Sequence, residues 1–362
     1  YWAAPTVTAL SPTSGPIAGG QTVTVTGTGF DVVSSVTFGG VAGTSVSVAS
    51  PTSLTVVSPA GSIGTVDVVV NATGGASSTA GTGNDYRYFG VPTVTSLSTA
   101  VGPSAGGTSV TITGTNLLGA TAVAFGATAA ASFTVVSDTQ ITAVSPARAA
   151  GLVSVQVTTP GGSSSTAGLG DDFTFYDAPT VTALSPTKSA LAGTSVTVTG
   201  TNFVSGLTTV TFGAAAGTSV NVISSTSLTV TAPAGSAGTV NVQVTTPGGA
   251  SSTSGTADDF TYWDAPTVTA LSPVNGPLAS GTSVVITGTN FDGVSGAAAV
   301  KFGATNATSY TVNSLTQITA VAPAGTAGTV DVTVVATGGT SSTAGTGNDF
   351  TYFAIPTITS LN

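Results

Sequence analysis

The fold of this chain is decided by a stretch that recurs along it, Tyr262-Trp263-Asp264-Ala265-Pro266-Thr267-Val268-Thr269-Ala270-Leu271-Ser272-Pro273. An aromatic pair closes one unit there, and an extended segment entered through a proline opens the next. Successive copies of the proline are 87 residues apart three times and 90 residues apart once, at Pro5, Pro92, Pro179, Pro266 and Pro356. Self-similarity at a fixed period indicates a repeat architecture, and each unit is long enough to bury a core of its own.

The period divides the chain into four complete repeats. We expect repeats at 5–91, 92–178, 179–265 and 266–355, with 1–4 as the end of a preceding repeat and 356–362 as the first strand of a further one. The fourth repeat is longer because it holds a small insertion around 293–299. Because a proline restricts each short link, the array is expected to be a semi-rigid, elongated rod.

Within a repeat the hydrophobic pattern has a period of two, which is typical of strands. In the first repeat Val23 and Val25 alternate with Thr22, Thr24 and Thr26, so the valines are predicted to face a core. Seven short strands separated by Gly, Pro and Ser turns predict an all-β, antiparallel sandwich. The predicted strands are 6–10, 22–26, 35–38, 44–48, 53–57, 64–70 and 84–88.

Charge and composition exclude several classes of function. The net charge is −9, and the four basic residues are scattered, so neither nucleic acid nor an anionic membrane surface is an expected partner. No apolar run is long enough to span a membrane, so no membrane insertion is expected within this segment. His, Cys and Glu are absent, which leaves few groups for acid–base or thiol chemistry, and we expect no enzyme.

Several short motifs recur together at consistent spacing in every repeat. In the fourth they are Pro266–Pro273, Gly276-Pro277, Ile286–Phe291, Phe302-Gly303, Pro323–Gly325 and Asp349–Tyr352. This set resembles the IPT/TIG group of Ig-like domains, over essentially the whole chain. The second repeat departs from it at Ser98-Thr99 and Leu117, and the third at Ser189-Ala190.

The resemblance implies a tandem array of four Ig-like domains of a bacterial-type cell-surface or extracellular protein. It implies no catalytic residues. Similar domains occur in plexin-type receptors, Rel-like transcription factors, beside starch-acting enzymes and in bacterial surface arrays. The shortage of basic residues argues against the transcription-factor role.

The aromatic pairs at the repeat junctions have two interpretations. They are predicted to pack where one domain meets the next, and exposed rings could alternatively stack on sugars. The residues predicted for interdomain packing are Tyr88, Phe89, Pro92, Tyr176, Pro179, Tyr262, Trp263, Pro266, Tyr352, Phe353 and Pro356.

Acidic residues recur before and after the last strand of two repeats. Because Ca²⁺ takes six to eight oxygen ligands, such residues could supply part of a junction site, whereas solvated turn residues are the simpler interpretation. The candidates are Asp171, Asp172, Asp177, Asp258, Asp259 and Asp264, and no other cofactor is expected. Asn71 and Asn306 fit the N-glycosylation pattern, which arises readily by chance in a Thr-rich chain.

Two functions remain from different classes. Near-equivalent repeats favour an extracellular stalk or the subunit of a cell-surface fibre that associates with copies of itself. The charge-poor surface also lacks the lysines that normally block association of strand edges. The alternative is an adhesin or carbohydrate-binding array with a glycan or cell-surface ligand. Both place the chain outside the cell or on its surface.

Overall fold

The structure is a computed structural model that describes residues 2–191 and 193–354. Those residues form strands and turns, and no helix occurs among them. It follows that these ranges hold no apolar helix of membrane-spanning length. The predicted Pro356 and the strand expected at 356–362 lie outside the described residues.

Each of the four domains contains ten strand segments. The first domain has β1 (Thr6–Ser11), β2 (Ser14–Pro16), β3 (Thr22–Thr28), β4 (Val33–Phe38), β5 (Val41–Ala42), β6 (Thr44–Ser50), β7 (Ser53–Val57), β8 (Gly64–Ala72), β9 (Gly75–Ala76) and β10 (Asp85–Phe89). The second has β11 (Thr93–Leu97), β12 (Val101–Pro103), β13 (Ser109–Thr115), β14 (Ala122–Phe125), β15 (Thr128–Ala129), β16 (Ser132–Ser137), β17 (Gln140–Val144), β18 (Gly151–Thr159), β19 (Gly162–Ser163) and β20 (Asp172–Tyr176).

The same order is repeated in the second half of the chain. The third domain has β21 (Thr180–Ser185), β22 (Lys188–Ala190), β23 (Ser195–Thr201), β24 (Thr209–Phe212), β25 (Ala215–Ala216), β26 (Thr218–Ser224), β27 (Ser227–Thr231), β28 (Gly238–Thr246), β29 (Gly249–Ala250) and β30 (Asp259–Trp263). The fourth has β31 (Thr267–Ser272), β32 (Asn275–Pro277), β33 (Ser283–Thr289), β34 (Val300–Phe302), β35 (Thr305–Asn306), β36 (Ser309–Ser314), β37 (Gln317–Val321), β38 (Gly328–Ala336), β39 (Gly339–Thr340) and β40 (Asp349–Phe353).

Two sheets face each other in every domain. In the first domain one sheet has the order β1-β3-β7-β6, and the other has the order β2-β10-β8-β4-β5 with β9 paired to β8. The other three domains repeat this topology. The all-β sandwich is therefore confirmed, and all seven strands predicted in the first repeat are present.

The structure corrects the sequence prediction in two respects. Each domain has three short strands that the period-two pattern did not predict, such as Ser14–Pro16, because two or three residues cannot show an alternation. The sandwich is also not purely antiparallel. The strand Ser14–Pro16 pairs in parallel with β10, in the register Tyr88 opposite Gly15, and the equivalent strands of the other domains do the same.

The core of each domain is built from the alternating residues of both sheets. In β3, Val23 and Val25 are fully buried while Thr22 and Thr26 are exposed, as the pattern predicts. The aromatic centre is a set of edge-to-face rings, for example Phe38 on Tyr86 with ring centroids 5.0 Å apart. Such pairs contribute ~0.5–1.5 kcal/mol beyond the burial of their area. Each domain has its own cluster, so each carries its own stabilising core.

Contacts group the four domains into two compact units. The first unit is Tyr1–Asp177, which holds the first and second domains, and the second is Ala178–Asn362, which holds the third and fourth. Two junctions between domains therefore lie inside a unit. They are called here the first seam, between the first and second domains, and the second seam, between the third and fourth domains.

Candidate functional site

The inner residue of each junction aromatic pair belongs to the core of its own domain. Tyr88, Tyr262 and Tyr352 are all buried within their core clusters. Tyr88 Oη donates to the carbonyl of Pro59 at 2.8 Å, and the other two donate to the equivalent prolines. Burial raises the pKa of Tyr88 to about 12, with a smaller contribution from Tyr86.

The predicted interdomain role is therefore wrong for these three tyrosines. Successive residues of a strand point to opposite faces of the sheet, so an aromatic pair at the end of β10, β30 or β40 cannot place both rings outside. The alternation of buried and more exposed residues continues to the last two residues of these strands.

The outer residue of each pair remains outside the core. Phe89 is half-buried at the first seam, where a Cβ on Gly119 of the second domain would lie 2.8 Å from Phe89 Cε1. The Arg87 guanidinium lies 4.8 Å from the centroid of the same ring. The Phe89 ring therefore lies against Gly119 of the next domain. Tyr176 is half-buried, and Phe353 is 57% exposed.

An asparagine that the sequence analysis did not single out holds each linker in place. Asn116 Nδ2 donates to the carbonyl of Val91 at 3.0 Å, Asn202 Nδ2 to Ala178 at 2.8 Å, and Asn290 Nδ2 to Ala265 at 3.3 Å. All three asparagines have positive φ, between 55° and 60°. Asn tolerates this left-handed conformation better than most residues. The Gly-Thr-Asn signal was visible in three repeats.

The linker prolines lie beneath these bonds. Pro92, Pro179 and Pro266 are buried, and each directly follows the residue whose carbonyl accepts the asparagine hydrogen bond. The linkers are thus held by packing as well as by their fixed φ.

The second seam carries polar contacts that join its two domains. Lys188 Nζ of the third domain lies 3.1 Å from Asp292 Oδ2 of the fourth, and 5.5 Å from the centroid of the Trp263 ring. Asp292 Oδ2 also accepts from Thr337 Oγ1 at 3.3 Å. The Lys188 ammonium therefore links the outer aromatic residue of one domain to an acidic residue of the next.

A small concave pocket opens beside Trp263 at this seam. Its volume is about 280 Å³, and its lining includes Trp263, Asp264, Thr261, Gly238 and Asn290. This set is called the seam pocket below. The Trp263 ring is half-buried, whereas Asp264 is exposed. An aromatic surface, a carboxylate and an amide thus meet in one cavity.

The candidate calcium residues do not converge. Asp171 and Asp258 are buried, whereas Asp172 and Asp259, the first residues of β20 and β30, are partly exposed. Among the described residues, no group of three or more acidic side chains is placed to hold a metal ion. The structure therefore does not bring Asp171, Asp172 and Asp177 together, nor Asp258, Asp259 and Asp264.

Asp171 and Asp258 instead occupy an internal position. Each lines a surface groove beside the entry to its domain, with volumes of about 350 and 460 Å³, and each keeps a buried Oδ2 without a hydrogen-bond partner. Burial raises the pKa of Asp171 above its ordinary value. In the first and fourth domains the same position is Asn84 or Asn348, whose Nδ2 donates to Asp67 or Asp331.

The two glycosylation candidates differ in accessibility. Asn71 is half-buried on β8, and its Nδ2 donates to Ser35 Oγ at 3.1 Å. Asn306 is exposed on the two-residue strand β35. Glycosylation at either position stays a prediction.

Together the fold and the seams define a tandem array of Ig-like sandwich domains, and in three of them an asparagine holds the linker that leads into the domain. The chain belongs to the IPT/TIG domain family, whose model matches residues 5–88, 92–175, 179–262 and 266–352. The matched family is an Ig-like domain rather than a class of enzyme. No curated protein matches this chain in sequence.

Several solved structures are similar to parts of this chain. The plexin A4 full extracellular region is 22% identical with a TM-score of 0.34, covering 93% of this chain and 30% of that chain. The bacterial integrin-binding protein invasin is 14% identical with a TM-score of 0.26, covering 96% and 79%. A surface glycan-binding protein from a xyloglucan utilisation locus of Bacteroides uniformis is 18% identical with a TM-score of 0.24, covering 61% and 74%. This chain spans less than half of the two plexin A4 chains.

Proposed function

We propose that the chain is part of an extracellular or cell-surface adhesive array that binds carbohydrate. The observation that carries the proposal is the seam pocket, where the Trp263 ring, the Asp264 carboxylate and the Asn290 amide line one cavity. Aromatic rings with a few placed polar groups are the usual components of a binding site. Surface glycan-binding proteins and invasin also bind ligands outside the cell, but the proposal for this chain is argued from its own residues.

The domain construction suits a protein that holds a binding surface at a distance from its anchor. Every domain has a closed core, and the asparagine bonds hold the linkers within both units. Pre-ordered linkers reduce the conformational entropy that is lost on binding. The repeats therefore act as spacers, and the residues proposed to contact the ligand lie at the second seam.

A screen of the whole chain tests this function. The chain is passed over immobilised polysaccharides and glycoproteins, and retention is measured against a column without ligand. We expect retention by at least one uncharged polysaccharide. Absence of retention across the panel by a chain that unfolds cooperatively would contradict the proposal.

A second candidate function is a stalk or fibre subunit that associates with its own copies. The observation that favours it is the pair of edge strands β16 and β36, each hydrogen-bonded to one neighbour only. Neither strand contains a charged residue or a proline, and each pairs without a bulge over its first four residues, Ser132–Val135 and Ser309–Val312. Charge, proline and bulges are the usual devices that prevent association of strand edges. Both functions are compatible in one array.

A further inference from the structure

We propose that the seam pocket binds one sugar unit of an uncharged polysaccharide, with Trp263 as the stacking surface and Asp264 and Asn290 as hydrogen-bonding groups. This inference rests on the proposed function and names its ligand class and its site. The volume of the seam pocket, about 280 Å³, is just below the ~300–1,000 Å³ of pockets for drug-sized ligands. A single ring of a longer chain suits such a volume, with the rest of the polymer outside.

The Trp263 ring is already fixed in position. Trp263 is the last residue of β30 and pairs with Ala190 of β22, and the Lys188 ammonium lies 5.5 Å from its ring centroid. Lys188 is in turn paired with Asp292. The ring therefore loses little conformational freedom when a ligand packs on it. Its Nε1 is buried and without an acceptor among the described residues, so the face of the ring rather than its N–H is the surface offered to a ligand.

The polar groups beside the ring are held by the fourth domain. Asn290 Nδ2 donates one N–H to the Ala265 carbonyl, which leaves the amide oxygen and a second N–H as hydrogen-bonding capacity. A Cβ on Gly338 would collide with the Asp264 carbonyl, so the β38–β39 turn packs directly on the Asp264 backbone. The Asn290 side chain and the Asp264 backbone are thus positioned before any ligand arrives.

Charge selects the class of sugar. The Lys188 ammonium is paired with Asp292 at 3.1 Å, so it does not balance the charge of Asp264. The pocket therefore has a negative side chain, in a chain whose net charge is −9. A carboxylate accepts hydrogen bonds from neutral hydroxyl groups and repels uronates and sulfates. The ligand is therefore an uncharged polysaccharide.

The first seam lacks the same set of groups. Phe89 stands in place of Trp263 and packs on Gly119, and a buried Gly90 stands in place of Asp264. Only the amide, Asn116, is shared. The first seam therefore supplies a matched control within the same chain.

The experiment compares variants of the whole chain in affinity electrophoresis and in titrations with soluble glucans, mannans, xylans and an acidic galacturonan. For Trp263→Ala we expect affinity for the best uncharged polysaccharide to fall about tenfold or more, as truncation of a central aromatic contact does. Asp264→Asn, which keeps the shape, is expected to weaken binding less and to reduce the discrimination against the galacturonan. Phe89→Ala is expected to bind as the unmodified chain does.

Each outcome distinguishes the site from the function. If the unmodified chain binds and a cooperatively unfolding Trp263→Ala variant binds equally well, the site assignment is wrong and the proposed function stands. If Phe89→Ala loses binding as strongly as Trp263→Ala, the site is not specific to the second seam. If the unmodified chain binds no polysaccharide in the panel, both the site and the proposed function fail. Preference for the galacturonan would overturn the ligand class.

Discussion

At the scale of single residues, one position distinguishes the middle domains from the outer ones. Asn84 and Asn348 donate to a neighbouring aspartate in the first and fourth domains. Asp171 holds that position in the second domain, where an ionised carboxylate can only accept, and no donor reaches its buried Oδ2. A buried polar atom without a hydrogen bond costs about 1–3 kcal/mol. Asp171 is therefore a site of local destabilisation at neutral pH.

Asp171→Asn is expected to stabilise the second domain by about 1–3 kcal/mol at neutral pH, because an amide can donate where the carboxylate cannot. The pKa of Asp171 is raised from 3.8 in the folded protein. Between the two values the folded state holds a proton that the unfolded state has lost, so the free energy of unfolding falls as the pH rises. The variant should lose this slope.

Thermal unfolding from pH 3.5 to 7 measures both effects. The control is Asp172→Asn, which changes the adjacent, partly exposed carboxylate. Equal responses of the two variants would show that the burial of Asp171 has no energetic consequence.

Tyr88→Phe is expected to destabilise the first domain by about 1 kcal/mol at neutral pH, because the Pro59 carbonyl loses its donor. The pKa of Tyr88 is raised to about 12 from 10.0. The folded state therefore keeps its proton over that window, and its stability falls as the pH rises from about 10 to about 12. Denaturant unfolding from pH 9 to 12 should show a shallower decline in the variant, and an unchanged decline would contradict this assignment.

At the scale of strands and linkers, the asparagine at the corner after β13 and β33 decides how a domain holds its linker. In the first domain this position is Gly29, which keeps the left-handed backbone conformation, with φ 76°, but has no side chain to donate a hydrogen bond. The hydrogen bond and the left-handed backbone conformation can therefore be separated by substitution.

Asn116→Gly keeps the left-handed conformation and removes only the bond to Val91, so we expect a loss of about 0.5–1.5 kcal/mol. Asn116→Ala is expected to lose more, because a Cβ disfavours φ 55° unless the side chain bonds locally. Differential scanning calorimetry of the first unit's transition measures both. Equal stability of the two variants would contradict a backbone contribution.

The edge strands give the prediction for self-association. Lysine at both exposed positions Thr134 and Thr311, on β16 and β36, is expected to abolish any concentration-dependent assembly in sedimentation velocity. The control places the same charges at Thr113 and Thr287, which are exposed on the central strands β13 and β33. If the central-strand variant is affected as strongly as the edge variant, net charge rather than edge pairing controls assembly.

The regular strands could be predicted from sequence, and the short ones could not. The strand Thr22–Thr28 alternates valine and threonine over enough residues to fix its faces. Ser14–Pro16 pairs in parallel with β10, but a Ser-Gly-Pro tripeptide has no alternation to read. The junction aromatics follow the same rule, because the alternation continues to the end of β10 and β30. Tyr88 and Tyr262 therefore face the core, and only the residue after each of them lies outside it.

At the scale of the whole molecule, the four domains repeat one topology, whereas the second seam carries residues that the first seam lacks. The repeat and its family resemblance were readable from the motifs in sequence, and the family model matches all four copies. The seam pocket could be predicted only in part: Trp263 and Asp264 are candidates from the sequence, whereas Gly238 and Asn290 join them only where the third and fourth domains pack. The repeat motifs therefore predict the residues that the domains have in common, but not the contacts formed at an individual seam.

The ion pair at the second seam is expected to matter little for stability. Lys188 is about half exposed, and a solvent-exposed pair contributes ~0–1 kcal/mol. Lys188→Ala should therefore leave the unfolding temperature of the chain nearly unchanged, while the Trp263 ring loses its cation and gains freedom. A large loss of stability in differential scanning fluorimetry would show that the seam depends on this pair.

The most direct test of the central claim uses the intrinsic fluorescence of Trp263. The chain has two tryptophans, and Trp2→Phe leaves Trp263 as the only one. The Trp2→Phe chain is titrated with the uncharged polysaccharide that the unmodified chain binds best. We predict a saturable shift or quench of the emission, at the same concentrations at which the polymer retards the protein in affinity electrophoresis. Binding that leaves the Trp263 emission unchanged would contradict the account and place the ligand elsewhere on the array.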